Sequence, residues 1–135
     1  MTMARIARYG SFIVLGHLII LFLHAYAHVK LEVYASWLGN IFIITVIWLA
    51  PLLAMILLLR RRLQTGVALL VAAMFGSLLF GIYHHFIAIS PDHVSHIPAG
   101  AERGLFQITA VLLAVAEMAG GGFGIWAWRA LSREG

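Results

Sequence analysis

The chain has 135 residues, of which 63% are hydrophobic and only 10% are charged, and its formal net charge is +4. Soluble domains carry about a quarter charged residues, so this composition excludes a water-soluble globular fold. The absence of cysteine excludes disulfides, thiolate metal sites, iron–sulfur clusters and cysteine nucleophiles. Any protein-bound metal must therefore use His, Asp, Glu or backbone oxygen.

Four apolar segments are long enough to cross a hydrocarbon core, which takes about 20 helical residues. Their apolar residues run continuously rather than alternating, and this pattern favours helices over a β-barrel. We therefore predict an all-α integral membrane protein in which residues 1–135 form a single domain, a four-transmembrane-helix bundle. The predicted spans are 10–29, 37–59, 67–89 and 104–128, and an outer loop covers 90–103.

Basic residues concentrate at one set of predicted helix ends. That set carries Arg5, Arg8, Arg60, Arg61, Arg62, Arg129 and Arg133, whereas the other set carries only Lys30 and Arg103. Positive charge marks the cytoplasmic side. We expect both termini in the cytoplasm and the 90–103 loop outside, most simply in a plasma (inner) membrane. Since topology accounts for the charge, we expect the lipid bilayer, and no nucleic acid, as partner.

The first predicted helix carries histidines on one face. His17, His24 and His28 stand at i, i+7 and i+11, which places them within an arc of roughly 40° at about 100° per residue. Such a stripe is expected to face the bundle interior. The basic start and the Ala-Tyr-Ala before His28 also resemble a cleavable secretory signal. Because His17 interrupts the apolar run, we favour a transmembrane helix.

Two further helices contain residues with local structural consequences. Pro51 lacks a backbone donor and leaves the carbonyl of Ile47 free, so a kink is expected near the middle of the second helix. In the fourth helix Ala116, Gly120 and Gly124 follow one another at four-residue spacing. Small residues on one face predict close approach of another helix.

A cluster of histidines is expected at the outer face. The first helix ends near His24 and His28, and the third helix and the outer loop supply the remaining members, His84, His85, Asp92, His93 and His96. A His-x-x-x-His pair on a helix points two rings to one side, where both can bind one ion. Neutral imidazole suits iron, copper and zinc rather than calcium or magnesium. The sequence therefore predicts a transition-metal site.

A second polar constellation lies deeper. His17 and Glu117 each stand about 18 to 20 Å below the outer ends of their helices, at 1.5 Å per residue. An unpaired carboxylate at this depth would be costly. We therefore expect a His17–Glu117 pair, which serves either as a structural contact or in a proton step.

Three functions remain open from the sequence. The first is a metal site for redox chemistry or metal handling, in the case of an enzyme a membrane metal-dependent oxidoreductase. The second is a b-type haem protein for electron transfer, with His24 and His84 as axial ligands and space for the macrocycle at Ser77 and Gly81 below His85. The third is a non-enzymatic subunit or anchor in a homo-oligomer or a larger membrane complex.

Overall fold

The computed structural model describes residues 3–134, and within this range every regular element is helical. The helices are α1 (Met3–Lys30), α2 (Trp37–Leu59), α3 (Leu63–Ile87) and α4 (Arg103–Glu134). All four are long and apolar enough to cross a membrane. The prediction of an all-α fold with four candidate membrane spans is thus confirmed. The sidedness of the termini stays a prediction.

The helices extend beyond the hydrophobic segments because basic side chains can stand outside the hydrocarbon while the backbone stays helical. Accordingly, α1 begins at Met3, α3 at Leu63, and α4 continues to Glu134. At its other end α3 stops at Ile87, two residues before the predicted boundary, because Ala88 adopts an extended conformation with φ −70° and ψ 122°.

Helices α1, α3 and α4 pack against one another, and the Ala50–Leu59 part of α2 packs against α1 and α3. A large apolar core lies where α1 begins and α4 ends and includes Ile6, Leu58, Val67 and Leu131. We call the other end of the bundle, where α1 and α3 end and α2 and α4 begin, the histidine end. Many large apolar side chains on the outer surface are exposed, as expected for contact with lipid.

The small-residue face of α4 is occupied within the chain. A Cβ atom at Gly120 would lie 3.0 Å from the Met74 side chain, and one at Gly124 would lie 2.5 Å from Cγ2 of Val71. The glycines therefore allow α3 to approach α4 closely.

Two stretches are π-helical, Ile43–Leu49 within α2 and Tyr83–Ile87 at the end of α3. The first of them ends just before Pro51: the N–H of Ala50 bonds to the carbonyl of Thr45, and Pro51 lies in the first turn of the α-helical segment that follows. The kink at Pro51 stays a prediction. Short π-helical turns occur frequently at functional sites. The second of them carries His85.

The connection between α3 and α4 folds over the histidine end. The N–H of Val94 bonds to the carbonyl of His85 at 2.9 Å, and the side-chain amide of Gln107 donates to the carbonyl of Val94 at 2.8 Å. Ile97 is only 3% exposed and packs with Ala27 and Phe106. This segment therefore covers the ends of α1 and α4.

Candidate metal centre

Three histidines from two helices meet beneath this cover. His24 and His28 come from α1, and His85 comes from the π-helical end of α3. Each histidine offers one potential ligand atom, and these three atoms lie within 4.8 Å of one another. His24 and His85 are 4% and 8% exposed. Burial of three imidazoles at one point is costly unless their polar atoms have partners. We call this group the histidine triad.

The hydrogen bonds of His24 determine which of its nitrogens carries the proton. The hydroxyl of Thr109 lies 2.7 Å from the carbonyl oxygen of Leu105, and this oxygen can only accept a hydrogen bond. Thr109 therefore donates to Leu105 and accepts from Nδ1 of His24, at 2.8 Å. A neutral imidazole carries one N–H group. Nε2 of His24 is consequently left with a lone pair.

His28 is held in the same tautomer by the end of α1. Glu32 adopts a left-handed conformation with φ 54°, and the N–H of Val33 bonds back to the carbonyl of His28 at 3.1 Å. This is the Schellman arrangement of a helix C-terminus. It returns the carbonyl of Val33 to the His28 ring, where Nδ1 donates to it at 2.8 Å.

His85 follows the same pattern, since its Nδ1 lies 3.1 Å from the backbone carbonyl of Asp92. All three Nδ1 atoms thus face acceptors, and all three Nε2 atoms remain free to bind an ion. Nε2 of His24 and Nε2 of His85 are 3.2 Å apart. Two lone pairs at this distance repel unless a cation lies between them. Tetrahedral zinc, with Zn–N bonds of about 2.0 to 2.1 Å, separates its ligands by about 3.3 Å.

Asp92 is the acidic neighbour of the triad. Its Oδ1 lies 3.2 Å from Nδ1 of His85 and 3.5 Å from Nε2 of His28. Burial alone would raise the pKa of the Asp92 carboxyl, but contact with His85 and attraction to His28 outweigh burial, so its pKa lies below the usual range. Its negative charge favours a cation at this place.

The other predicted ligands lie outside the triad. The ring of His84 packs on Phe80 and Tyr83, with centroid distances of 4.2 and 5.2 Å. This follows from helix geometry, because neighbouring residues point in different directions. His93 and His96 form their own exposed pair in the covering loop, with ring centroids 5.1 Å apart.

His17 and Glu117, the polar residues deeper in the bundle, are in contact. Nε2 of His17 lies 3.2 Å from Oε1 of Glu117, and the two residues are 0% and 3% exposed. Nδ1 of His17 is buried without a hydrogen-bond partner. The pair gives the bundle a polar layer below the triad.

A cavity of about 220 Å³ connects the two polar layers. The triad and Asp92 line its outer end, and Glu117 and Ser77 line it deeper in the bundle. Its remaining wall is mainly apolar and includes Trp48 and Phe80. The lone pairs of the triad therefore lie beside an internal space rather than in a closed core.

Thr109 and the carbonyl of Val33 were not anticipated as parts of this site. For Thr109 the sequence held a usable signal, because Thr109 stands eight residues before Glu117 and His24 seven residues after His17. His17 and Glu117 lie at one level, and α1 and α4 run in opposite directions. Similar offsets from that pair therefore bring Thr109 to the level of His24. No comparable signal pointed to Val33, since its position depends on the chain reversal at Glu32.

Comparisons with protein families, curated proteins and solved structures gave no match to this chain.

Proposed function

We propose that this is a multi-pass membrane protein that holds one transition-metal ion, iron, copper or zinc, as a resident cofactor, and that the ion serves redox chemistry if it is iron or copper. The ligands are the Nε2 atoms of His24, His28 and His85. The observation that supports the proposal best is the common tautomer of the triad, because each Nδ1 faces its own acceptor. Metal-binding histidines almost always donate their second ring N–H in this way.

Burial of the site favours a resident ion over transported cargo. The loop that contains Val94 and Ile97 covers the helix ends, and this cover hinders exchange of the ion with the aqueous phase. Three protein ligands leave one position of a four-coordinate ion open, as is typical of catalytic rather than structural sites. Here the open side adjoins the internal cavity. We infer that the ion acts on a molecule in that cavity.

A haem-based function receives less support. Nε2 of His24, the nitrogen that carries the lone pair, lies only 3.2 Å from Nε2 of His85. A haem iron between two histidines would need about 4 Å between the ligating nitrogens, from two bonds of about 2 Å. His84, the partner expected from the sequence, packs on Phe80.

Metal analysis of the detergent-purified protein tests the proposal, with no chelator in any buffer. We expect about one equivalent of metal per chain in the wild type and strong loss in H24A and H85A, because each ligand supplies one of only three nitrogens. H84A is the matched control, since it removes the adjacent histidine outside the triad. A metal-free wild type, or equal loss in H84A, would contradict the proposal.

The identity of the ion decides between redox chemistry and other roles. Iron or copper in the loaded protein would support redox chemistry, and its reduction should change the absorption or paramagnetic resonance spectrum. Zinc has no redox chemistry. Stoichiometric zinc in protein from cells supplied with all three metals would retain the site but reject the redox role.

A further inference from the structure

The cavity beside the triad has polar groups at two levels and an apolar wall between them. Oγ of Ser77 is buried at 1% exposure and has no hydrogen-bond partner, whereas Oδ1 of Asp92 lies 3.2 Å from Nδ1 of His85. Buried polar atoms are nearly always paired. Ser77 lines the cavity, so its missing partner belongs to something that occupies the cavity.

The position of Gly81 shows how the two levels are connected. A methyl group at Gly81 would stand 3.9 Å from Cδ2 of His85 and 4.0 Å from Oε2 of Glu117. His85 and Glu117 therefore face the same gap, and the lack of a side chain at Gly81 keeps this gap open. Ser77 lies one helical turn further down the same face of α3.

The size of the cavity limits its occupant. A dry cavity of about 150 Å³ is enough to hold benzene. At about 220 Å³, this cavity has room for a substituted six-membered ring. Aromatic rings prefer flat aromatic neighbours, which Trp48 and Phe80 provide in the wall.

The cavity reaches the surface between α1 and α2. Its lining includes Val29 of α1 and Tyr34 of the connecting link, which are 60% and 69% exposed, together with Ile43 of α2. The Ile43–Leu49 segment packs on α3, which leaves space beside the end of α1. Because apolar side chains border this opening, it favours entry from the lipid phase.

We propose that the cavity binds a lipid-soluble quinone or its hydroquinone, with one of the two oxygens on the ring directed toward the histidine triad and the other toward Ser77 and Glu117. A ring with oxygen atoms on opposite sides supplies a hydrogen-bonding group at both polar levels and an apolar edge between them. This inference names the substrate class of the proposed metal site and rests on that function.

Quenching of tryptophan fluorescence tests the inference directly, because Trp48 lines the cavity. The W37F, W126F and W128F substitutions leave Trp48 as the sole tryptophan, and all three replaced residues are largely exposed. This protein is titrated in detergent with a short-chain alkyl benzoquinone, once as purified and once after chelation. We expect saturable quenching.

The matched variants are G81V and G16V. Valine at Gly81 extends into the gap between His85 and Glu117, whereas Gly16 has no heavy atom within 4 Å of its added Cβ. We expect G81V to weaken quinone binding by at least about tenfold, since a pocket discriminates about that strongly against a misplaced methyl group, and G16V to bind as the parent does. Metal content is measured in both variants, and quinone binding is compared at equal metal occupancy.

An alkylbenzene of the same chain length serves as a competitor that lacks the oxygen atoms and should displace the quinone only weakly. Quenching that rises without saturation, or that is equal in G81V and G16V, indicates partition into the micelle and overturns the inference. Saturable binding to a protein that never contains metal would instead reject the proposed cofactor and retain the quinone site. The two failures are thus distinguishable.

Discussion

Substitution of Thr109, a residue that would not touch the metal, tests the tautomer assigned to His24. Thr109 is 2% exposed, and its hydroxyl accepts the Nδ1–H of His24 at 2.8 Å. T109V replaces the hydroxyl by a methyl group of similar size. The substitution leaves the N–H of His24 without an acceptor in a buried place, while Nε2 remains available.

The expected magnitude follows from this lost hydrogen bond. Loss of such an outer partner typically lowers metal affinity by about 10-fold to 100-fold. This range corresponds to about 1.4 to 2.8 kcal/mol. We therefore expect T109V to bind the metal, but with an affinity reduced within that range, because His24 either tilts or changes tautomer.

Competition with a fluorescent chelator measures the affinities, and T45V is the matched control. The hydroxyl of Thr45 also donates to a carbonyl four residues earlier, that of Ile41 at 2.8 Å, but it is exposed and far along the chain from the triad. T45V should retain wild-type affinity. Unchanged affinity in T109V, together with complete loss in H24A, would refute the proposed orientation of His24.

Other predictions address the deep pair, the helix contact and proton competition. E117A should lower the free energy of unfolding in mixed micelles by about 1 to 3 kcal/mol, since His17 loses its partner; an equal effect of M118A, a lipid-facing control, would contradict this. G124L should also lower the free energy of unfolding by about 1 to 3 kcal/mol, because the leucine side chain would collide with Val71. A G124L protein as stable as the wild type would contradict the close packing of α3 and α4. Metal affinity should fall as the pH is lowered, because ligating imidazoles must be deprotonated; an affinity that rose with acidity would contradict histidine ligation.

Periodicity and depth were sufficient to predict much of this architecture. The spacing of His17, His24 and His28 defined one face of α1, and all three lie on its inner side. Counting residues from the helix ends brought His17 and Glu117 to one level, where the structure has them 3.2 Å apart. Such reasoning works because a helix has a fixed rise and rotation per residue.

The covering loop lies beyond this reasoning because a loop has no fixed rise or rotation. Nothing in the spacing of His93 and His96 indicates that they pair with each other. The Schellman turn at Glu32 was equally hidden, because a left-handed conformation is most typical of glycine. The acceptors of His28 and His85 both come from such irregular segments, and thus the common tautomer could not be derived from sequence.

The choice between His84 and His85 shows which criterion should take precedence. Depth alone favoured His84 as the partner of His24. The face of α3 favours His85, since Ser77, Gly81 and His85 follow at four-residue spacing and all line the cavity. A ligand must be at the right level and also on the inward face, and one residue of rotation, about 100°, removes it from the site. For a bundle of this kind, the small or polar residues one and two turns away from a histidine therefore indicate whether it faces the interior.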